Sequence, residues 1–291
     1  MLDKLERLPA DSILGLAAIA KADANPNKVD LTVGVYMNED GVCPVFKAVK
    51  MAQAALQQEE VSKSYLPPAG VDAFNDGMQQ LLFGAGHPAL RDGRVSSVQA
   101  PGGCGALRIG AEIIFAAAPT AKVWVSDPTW PVHLPLLGSV GLEFETYRYY
   151  EPVSHGVNFD GMVEDLKRAQ TGDVVLLHGC CHNPCGADLS LEQWGVVADM
   201  AEAQGFVPFV DIAYQGLGDG LEEDAAGLRL LAERVPEMII AASCSKNMGL
   251  YRERTGAVMF VCQDRANAEA LVSQALVAAR RVYSMPPAHG A

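Results

Sequence analysis

Val174-Val-Leu-Leu-His178, Phe206-Val-Pro-Phe-Val-Asp211 and Met238-Ile-Ile-Ala-Ala242 decide the fold. Each is a short, almost unbroken apolar run, and helix-length stretches stand between them at 191–204 and 225–234. Strands without polar alternation are covered on both faces, and interspersed helices are what cover them when the strands run parallel. Working outward, strand candidates follow at 95–99, 122–126, 142–147 and 257–262, with helical patterns at 106–117, 159–169 and 266–281. The expected fold is doubly wound α/β, a mostly parallel sheet of about seven strands with helices on both faces. Residues 1–43 are less regular, with Pro9, Pro26 and a strand-like piece at Gly34-Val35-Tyr36. They read as an N-terminal arm and the first part of a smaller domain, and 44–291 as the large domain.

Lys and Arg number 22 against 35 Asp and Glu, a net charge of −13. Nucleic-acid affinity comes mostly from cations neutralising phosphates, so such a partner is disfavoured. No apolar run reaches the roughly 18 residues a bilayer requires. Asp3, Lys4, Glu6 and Arg7 interrupt any signal-like start, so a cytoplasmic location without membrane contact is expected. Seven cysteines, with Cys180, Cys181 and Cys185 crowded together, do not resemble a secreted disulfide framework, and free thiols are expected. A metal module built on His178, Cys180, Cys181, His182 and Cys185 is disfavoured. Adjacent cysteines in extended chain point to opposite sides, and no paired Cys-x₂-Cys knuckle exists. Ser243 to Lys246 satisfies Ser-x-x-Lys, but Ser126-Asp127 is followed by proline and Lys-Thr-Gly is missing, so a serine acylase lacks its companion motifs.

In open α/β sheets ligands bind outside the carboxyl ends of the strands, so the polar residues ending each apolar run are the candidates. They include Trp130, Asn183, Asp211, Tyr214, Ser243, Ser245 and Lys246. A lysine after an apolar strand either leads into solvent or faces a cleft, where desolvation makes its amine nucleophilic. Asp211 by itself could be a helix N-cap. Together, a lysine and an aspartate on converging strand ends match what pyridoxal phosphate requires: an amine for its aldehyde and an anion for its pyridine nitrogen. Gly102-Gly103-Cys104-Gly105 opens a helix, where backbone N–H groups and the helix dipole attract an anion. The third glycine of a dinucleotide fingerprint is missing, so a single phosphate fits better.

Ser-Cys-Ser-Lys-Asn-Met-Gly-Leu-Tyr-Arg-Glu-Arg-Thr-Gly (243–256), Cys-Cys-His-Asn-Pro-Cys-Gly (180–186), Asp-Ile-Ala-Tyr-Gln-Gly (211–216) and Tyr-Ser-Met-Pro-Pro-Ala-His-Gly-Ala (283–291) closely resemble the aspartate and aromatic amino-acid aminotransferases, fold-type I pyridoxal-phosphate enzymes. Asp-Ser-Ile-Leu-Gly-Leu at 11–16 and Gly-Val-Tyr at 34–36 extend the likeness over essentially the whole chain. The resemblance implies transamination between an amino acid and a 2-oxo acid such as 2-oxoglutarate. Lys246 would be the Schiff-base lysine and proton carrier, and Asp211 the partner of the pyridinium nitrogen. Asn183 and Tyr214 would bond the ring's phenolic oxygen, and Trp130 would stack on the ring. Gly103, Cys104, Ser243, Ser245 and Arg254 would hold the phosphate. Tyr65 resembles the tyrosine that reaches the phosphate from the other subunit of a homodimer, and Arg280 the arginine that crosses to the substrate's side-chain carboxylate. Gly34 would sit near the α-carboxylate, and His133 and His178 behind Asp211.

The likeness has departures. Cys104 and Cys185 stand where the family usually has hydroxyl residues, and Met285 where a polar residue is common. The family also continues past the position of Ala291 into the remaining small domain, whose arginine clamps the substrate α-carboxylate. The chain as given is therefore expected to form substrate complexes weakly. The alternative is a non-catalytic remnant or gene fragment that at most binds the cofactor. Arg280 favours dicarboxylates, while aromatic members keep that arginine and also admit phenylalanine or tyrosine, so the choice between aspartate and aromatic substrates stays open.

Overall fold

The computed structural model describes residues 2–7, 12–30, 32 and 34–291, with side chains from residue 15 onward in the first helix. The chain forms two compact units, 1–45 and 46–291. The first holds a 3₁₀ turn at Leu2–Lys4, helix α1 (Ser12–Ala22) and irregular chain. The strand expected at Gly34-Val35-Tyr36 does not form: these residues are irregular chain. Pro9 and Asp11, quoted for the arm, lie outside the described residues.

The second unit begins with three helices, α2 (Lys47–Glu59), α3 (Asp72–Phe83) and α4 (Pro88–Arg91), in a region where the sequence patterns above assigned no element. Strand β1 (Val95–Pro101) leads into α5 (Gly102–Ala117), followed by β2 (Lys122–Asp127), α6 (His133–Gly138) and β3 (Glu143–Arg148). A small hairpin, β4 (Tyr150–Glu151) and β5 (Gly156–Val157), precedes α7 (Phe159–Leu166). The chain then alternates through β6 (Val174–His178), α8 (Leu191–Gln204), β7 (Val207–Ile212), α9 (Ala226–Arg234) and β8 (Met238–Ser243), and finishes with β9 (Thr255–Val261) and α10 (Arg265–Val282).

The seven-stranded sheet has the order β1-β9-β8-β7-β6-β2-β3, with β9 antiparallel to both neighbours and the remaining pairs parallel. Its central strands bury both faces, as the apolar runs require; β8 and β9 are buried along their whole length. One core joins the sheet to α3, α8 and α9 through Leu82, Val197, Leu228 and Val210. The other joins it to α5 and α10 through Leu107, Ile109, Ala275 and Phe209. Helix α8 shows local and tertiary signals agreeing. Ser190 and Gln193 close a reciprocal capping box at its start, and Gly205, in the left-handed region at φ 76°, ends it.

The chain passes from β2 outward to β3 and then back to β6, so strand order reverses between β2 and β6. That is the switch point where a crevice opens at the carboxyl ends of parallel strands. Register brings His178 beside Asp211, and Asp211 beside Ala241, one strand away from the segment that ends in Lys246.

Candidate active site

A cleft of about 220 Å³ opens at this edge. It gathers Gly103 and Cys104 from the start of α5, Trp130 from the loop after β2, and His178 and Asn183 from the end of β6. Asp211 and Tyr214 come from the end of β7, and Ser243, Ser245, Lys246 and Arg254 from the turn joining β8 to β9. Residues from Gly103 to Arg254 meet here because parallel strands deliver their last residues to one edge.

Lys246 is partly buried, and desolvation pushes its ammonium pKa down from 10.5, with Arg254 adding to the fall while Asp211 and Cys104 oppose it. Its Nζ stands 5.2 Å from the centroid of the Tyr214 ring. Burial raises the Tyr214 phenol, as does the Asp211 charge, while a hydrogen bond with Asn183 pulls it back. The amine at this strand end is therefore the cleft-facing kind rather than a solvated one.

Asp211 is anchored from behind. His133, wholly buried, meets its Oδ2 through Nε2 at 3.0 Å. The other ring nitrogen of His133 lies 2.8 Å from the Thr129 hydroxyl, which also sits 3.2 Å from His178 Nε2. His178 Nδ1 accepts the Asn183 backbone N–H at 3.4 Å. A continuous polar network thus runs from Asp211 through His133, Thr129 and His178 to Asn183. Burial holds His178 well below the ordinary imidazole range, with the neighbouring histidines adding to the effect, so it works as a neutral hydrogen-bonding group.

Thr129 was not singled out from sequence, and neither was the ring stack behind it. His182 stacks on His178 at 3.9 Å and on Tyr149 at 4.2 Å. Its nitrogens meet the Ser126 hydroxyl at 3.0 Å and the Cys185 thiol at 3.1 Å. Thr129 lies in the loop that follows β2, two residues past its end. The cysteine geometry also differs from expectation: Cys181 has φ of 50°, so the Cys180-Cys181 pair is not extended chain. Among the described residues no group of His, Cys, Asp and Glu side chains is arranged to hold a metal ion.

The opposite end of the cleft is built for an anion. Helix α5 begins at Gly102 rather than at 106, and no side chain caps its first turn, so its leading N–H groups are free for a ligand. Gly102 has φ of 67°, and a Cβ there would come within 2.5 Å of Arg254 Nη2, so only glycine lets helix start and guanidinium share one corner. Arg254 is held by donation to the Tyr251 carbonyl at 2.8 Å and to Ser245 Oγ at 3.4 Å, and Ser243 Oγ accepts the Ser245 N–H at 3.2 Å. The Arg254 guanidinium, uncapped amides and two buried hydroxyls form a cradle that fits a phosphate, and the Lys246–Asp211 pair beside it fits a pyridine aldehyde.

Three further expected residues were assigned to the other unit or to the partner subunit's cleft. Gly34 belongs to the first unit, in irregular chain. Tyr65 is 91% exposed, and Arg280 is exposed and donates to Ser284 Oγ; neither lines the cleft of its own chain.

A family profile described as aminotransferase class I and II matches residues 26–291. The chain belongs to that aminotransferase family. The aspartate aminotransferase of Escherichia coli is 46% identical over 291 residues, covering all of this aminotransferase chain and 74% of the relative. The aromatic-amino-acid aminotransferase of Paracoccus denitrificans is also 46% identical over 291 residues, with 73% of its length covered. The crystal structure of the Burkholderia pseudomallei aromatic-amino-acid aminotransferase, covalently bound to pyridoxal phosphate, superposes with a TM-score of 0.97 at 43% identity, over all of this chain and 73% of that one. This aminotransferase thus spans about three-quarters of the length of these relatives, and it has the fold of the pyridoxal-phosphate aminotransferases. No helix among the described residues is long and apolar enough to cross a membrane.

Proposed function

We propose that this chain binds pyridoxal 5'-phosphate through Lys246 and serves transamination between an amino acid and a 2-oxo acid such as 2-oxoglutarate, as a homodimer in the cytoplasm. One observation carries the reading: a desolvated lysine, a histidine-backed aspartate and an anion cradle line a single cleft at the sheet's switch point. When bound, pyridoxal phosphate supplies an aldehyde for the Lys246 amine and a ring that withdraws electrons from the substrate's α-carbon.

The protein's own groups do the rest. Asp211, oriented by His133, keeps a proton on the pyridine nitrogen. Asn183 and Tyr214 donate toward the ring's phenolic oxygen. Lys246, whose pKa desolvation lowers, is placed to take and return the α-proton. Trp130 covers one face of the ring, and its edge-on contact with His133, at 5.3 Å, fixes the indole plane. Gly103, Cys104, Ser243, Ser245 and Arg254 bind the phosphate, with Cys104 contributing through its backbone N–H.

Tyr65 and Arg280 complete the partner's cleft, Tyr65 at the phosphate and Arg280 at the substrate's side-chain carboxylate. Their exposure and their absence from the cleft of their own chain support this. Equal likeness to an aspartate and an aromatic enzyme supports both substrate classes. The test is spectroscopic. Aspartate or phenylalanine added to the cofactor-loaded protein should convert the bound cofactor to its amino form and release the matching 2-oxo acid. A loaded protein that leaves both amino acids unchanged would overturn the assignment.

A further inference from the structure

Gln99 sits near the end of β1, and its neighbours Val98 and Ala100 enter the core beneath α5. Strand alternation turns Gln99 to the opposite face, where it is fully buried. A buried primary amide is costly unless both of its ends are bonded. Here Oε1 accepts the Val71 N–H at 2.8 Å, and Nε2 donates to the Pro287 carbonyl at 2.9 Å. Exchanging the oxygen and nitrogen would set donor against donor and acceptor against acceptor, so the orientation is fixed.

The backbone of the same residue reaches the same two segments. Its N–H donates to the Ala69 carbonyl at 2.9 Å, and its carbonyl accepts the Tyr283 hydroxyl at 3.3 Å. The segments are also tied to each other, since the Leu66 N–H donates to Met285 Sδ at 3.2 Å. Gly70, at φ 87°, presses the first segment so closely on the amide that a Cβ there would meet Gln99 Oε1 at 2.3 Å.

The first segment follows directly on Tyr65. The second follows Arg280, whose guanidinium donates to Ser284 within it. Both side chains are long and exposed, so the backbone each stands on decides where it points.

We propose that Gln99 is a positioning residue that holds the loop carrying Tyr65 and the segment after Arg280 as one unit, so that the phosphate contact and the carboxylate contact offered to the partner subunit are set together. This rests on the dimeric reading above, and it adds a residue that touches neither cofactor nor substrate.

The test uses two variants of the full chain. Gln99→Met keeps the volume and removes both side-chain bonds; Gln99→Glu keeps the acceptor for Val71 and removes the donor to Pro287. Amide hydrogen exchange in 66–71 and 283–288 gives a readout that needs no activity. Equilibrium binding of pyridoxal phosphate, and of succinate to the loaded protein, reports the two contacts separately.

In Gln99→Met both segments should exchange faster, and both affinities should fall about fivefold each, the effect of roughly one hydrogen bond. In Gln99→Glu only 283–288 and succinate binding should change. If Gln99→Met does not fold, Gln99→Glu and Tyr283→Phe decide the matter, the latter loosening 283–288 alone. Tyr65→Phe and Arg280→Ala are the references, expected to weaken cofactor and succinate binding respectively. If these references change nothing, the cross-dimer reading has failed. If they act as stated while the Gln99 variants keep wild-type exchange and affinities, the positioning role is refuted.

Discussion

Replacing Arg254 by alanine should weaken the hold on pyridoxal phosphate while leaving the hold on pyridoxal, which lacks the phosphate, nearly unchanged. Arg254 spends one N–H on the Tyr251 carbonyl and a weaker contact on Ser245, so the rest of its fork is free for phosphate oxygens. A hydrogen bond to a charged group contributes about 1.5–3 kcal/mol, equivalent to about 10- to 150-fold in Kd. Because Arg254 is only partly buried, solvent screening places the expectation at the lower end, about tenfold. Arg254→Lys keeps the charge but loses the planar fork and should fall between wild type and alanine. The assay is equilibrium titration of the apo protein with each vitamer, followed by cofactor absorbance. Equal weakening for both vitamers would mean that the side chain merely supports the fold. No weakening for pyridoxal phosphate would show that the phosphate does not bind at this corner.

Acid should destabilise the protein through its histidine stack. Burial lowers His182 from 6.5 to about 4, and His178 shifts in the same direction. Between pH 6.5 and 4 the unfolded chain binds the proton that folded His182 refuses, so stability is full above 6.5 and is lost as pH falls toward 4. For His182 alone this amounts to about 3 kcal/mol. Urea unfolding at a series of pH values should show that slope, and His182→Gln should flatten it. At alkaline pH Lys246 has the same sign, since with its folded pKa below 10.5 its contribution grows as pH rises toward 10.5, while the thiols of Cys180 and Cys244, pushed up by burial, act the opposite way; Lys246→Met should therefore steepen the alkaline loss of stability. Gly110→Val should cost about 1–3 kcal/mol by overpacking, since its Cβ would lie 2.6 Å from the Phe209 ring, and differential scanning calorimetry should show a lowered Tm.

The legible parts of this fold were those where local pattern and tertiary role agree. The run 174–178 is β6 residue for residue, and 191–204 is α8, because a buried parallel strand and a capped helix each leave an unambiguous trace. Helix α5 starts four residues earlier than its apolar pattern, since glycines at 102, 103 and 105 hide a helical turn behind a turn-like composition. The piece at 34–36 looks like a strand because Val and Tyr have β propensity, yet it is irregular chain, since β propensity reflects packing on a sheet more than an intrinsic backbone preference. At the site, charged and polar residues ending apolar runs gave Asp211, Ser243 and Lys246 directly. Thr129 and the stacking of His182 were not legible: a threonine bridging two imidazoles depends on loop geometry that no spacing rule encodes. The reach of Gln99 likewise appears only once residues 69–71 and 283–287 are seen beside it.

The most direct measurement is borohydride reduction of the pyridoxal-phosphate-loaded protein, followed by mass mapping of its peptides. One reduced phosphopyridoxyl adduct is expected, on the peptide containing Lys246, and lost in Lys246→Ala while circular dichroism shows the variant still folded. An adduct on another lysine, or none on the folded wild-type chain, would contradict this expectation.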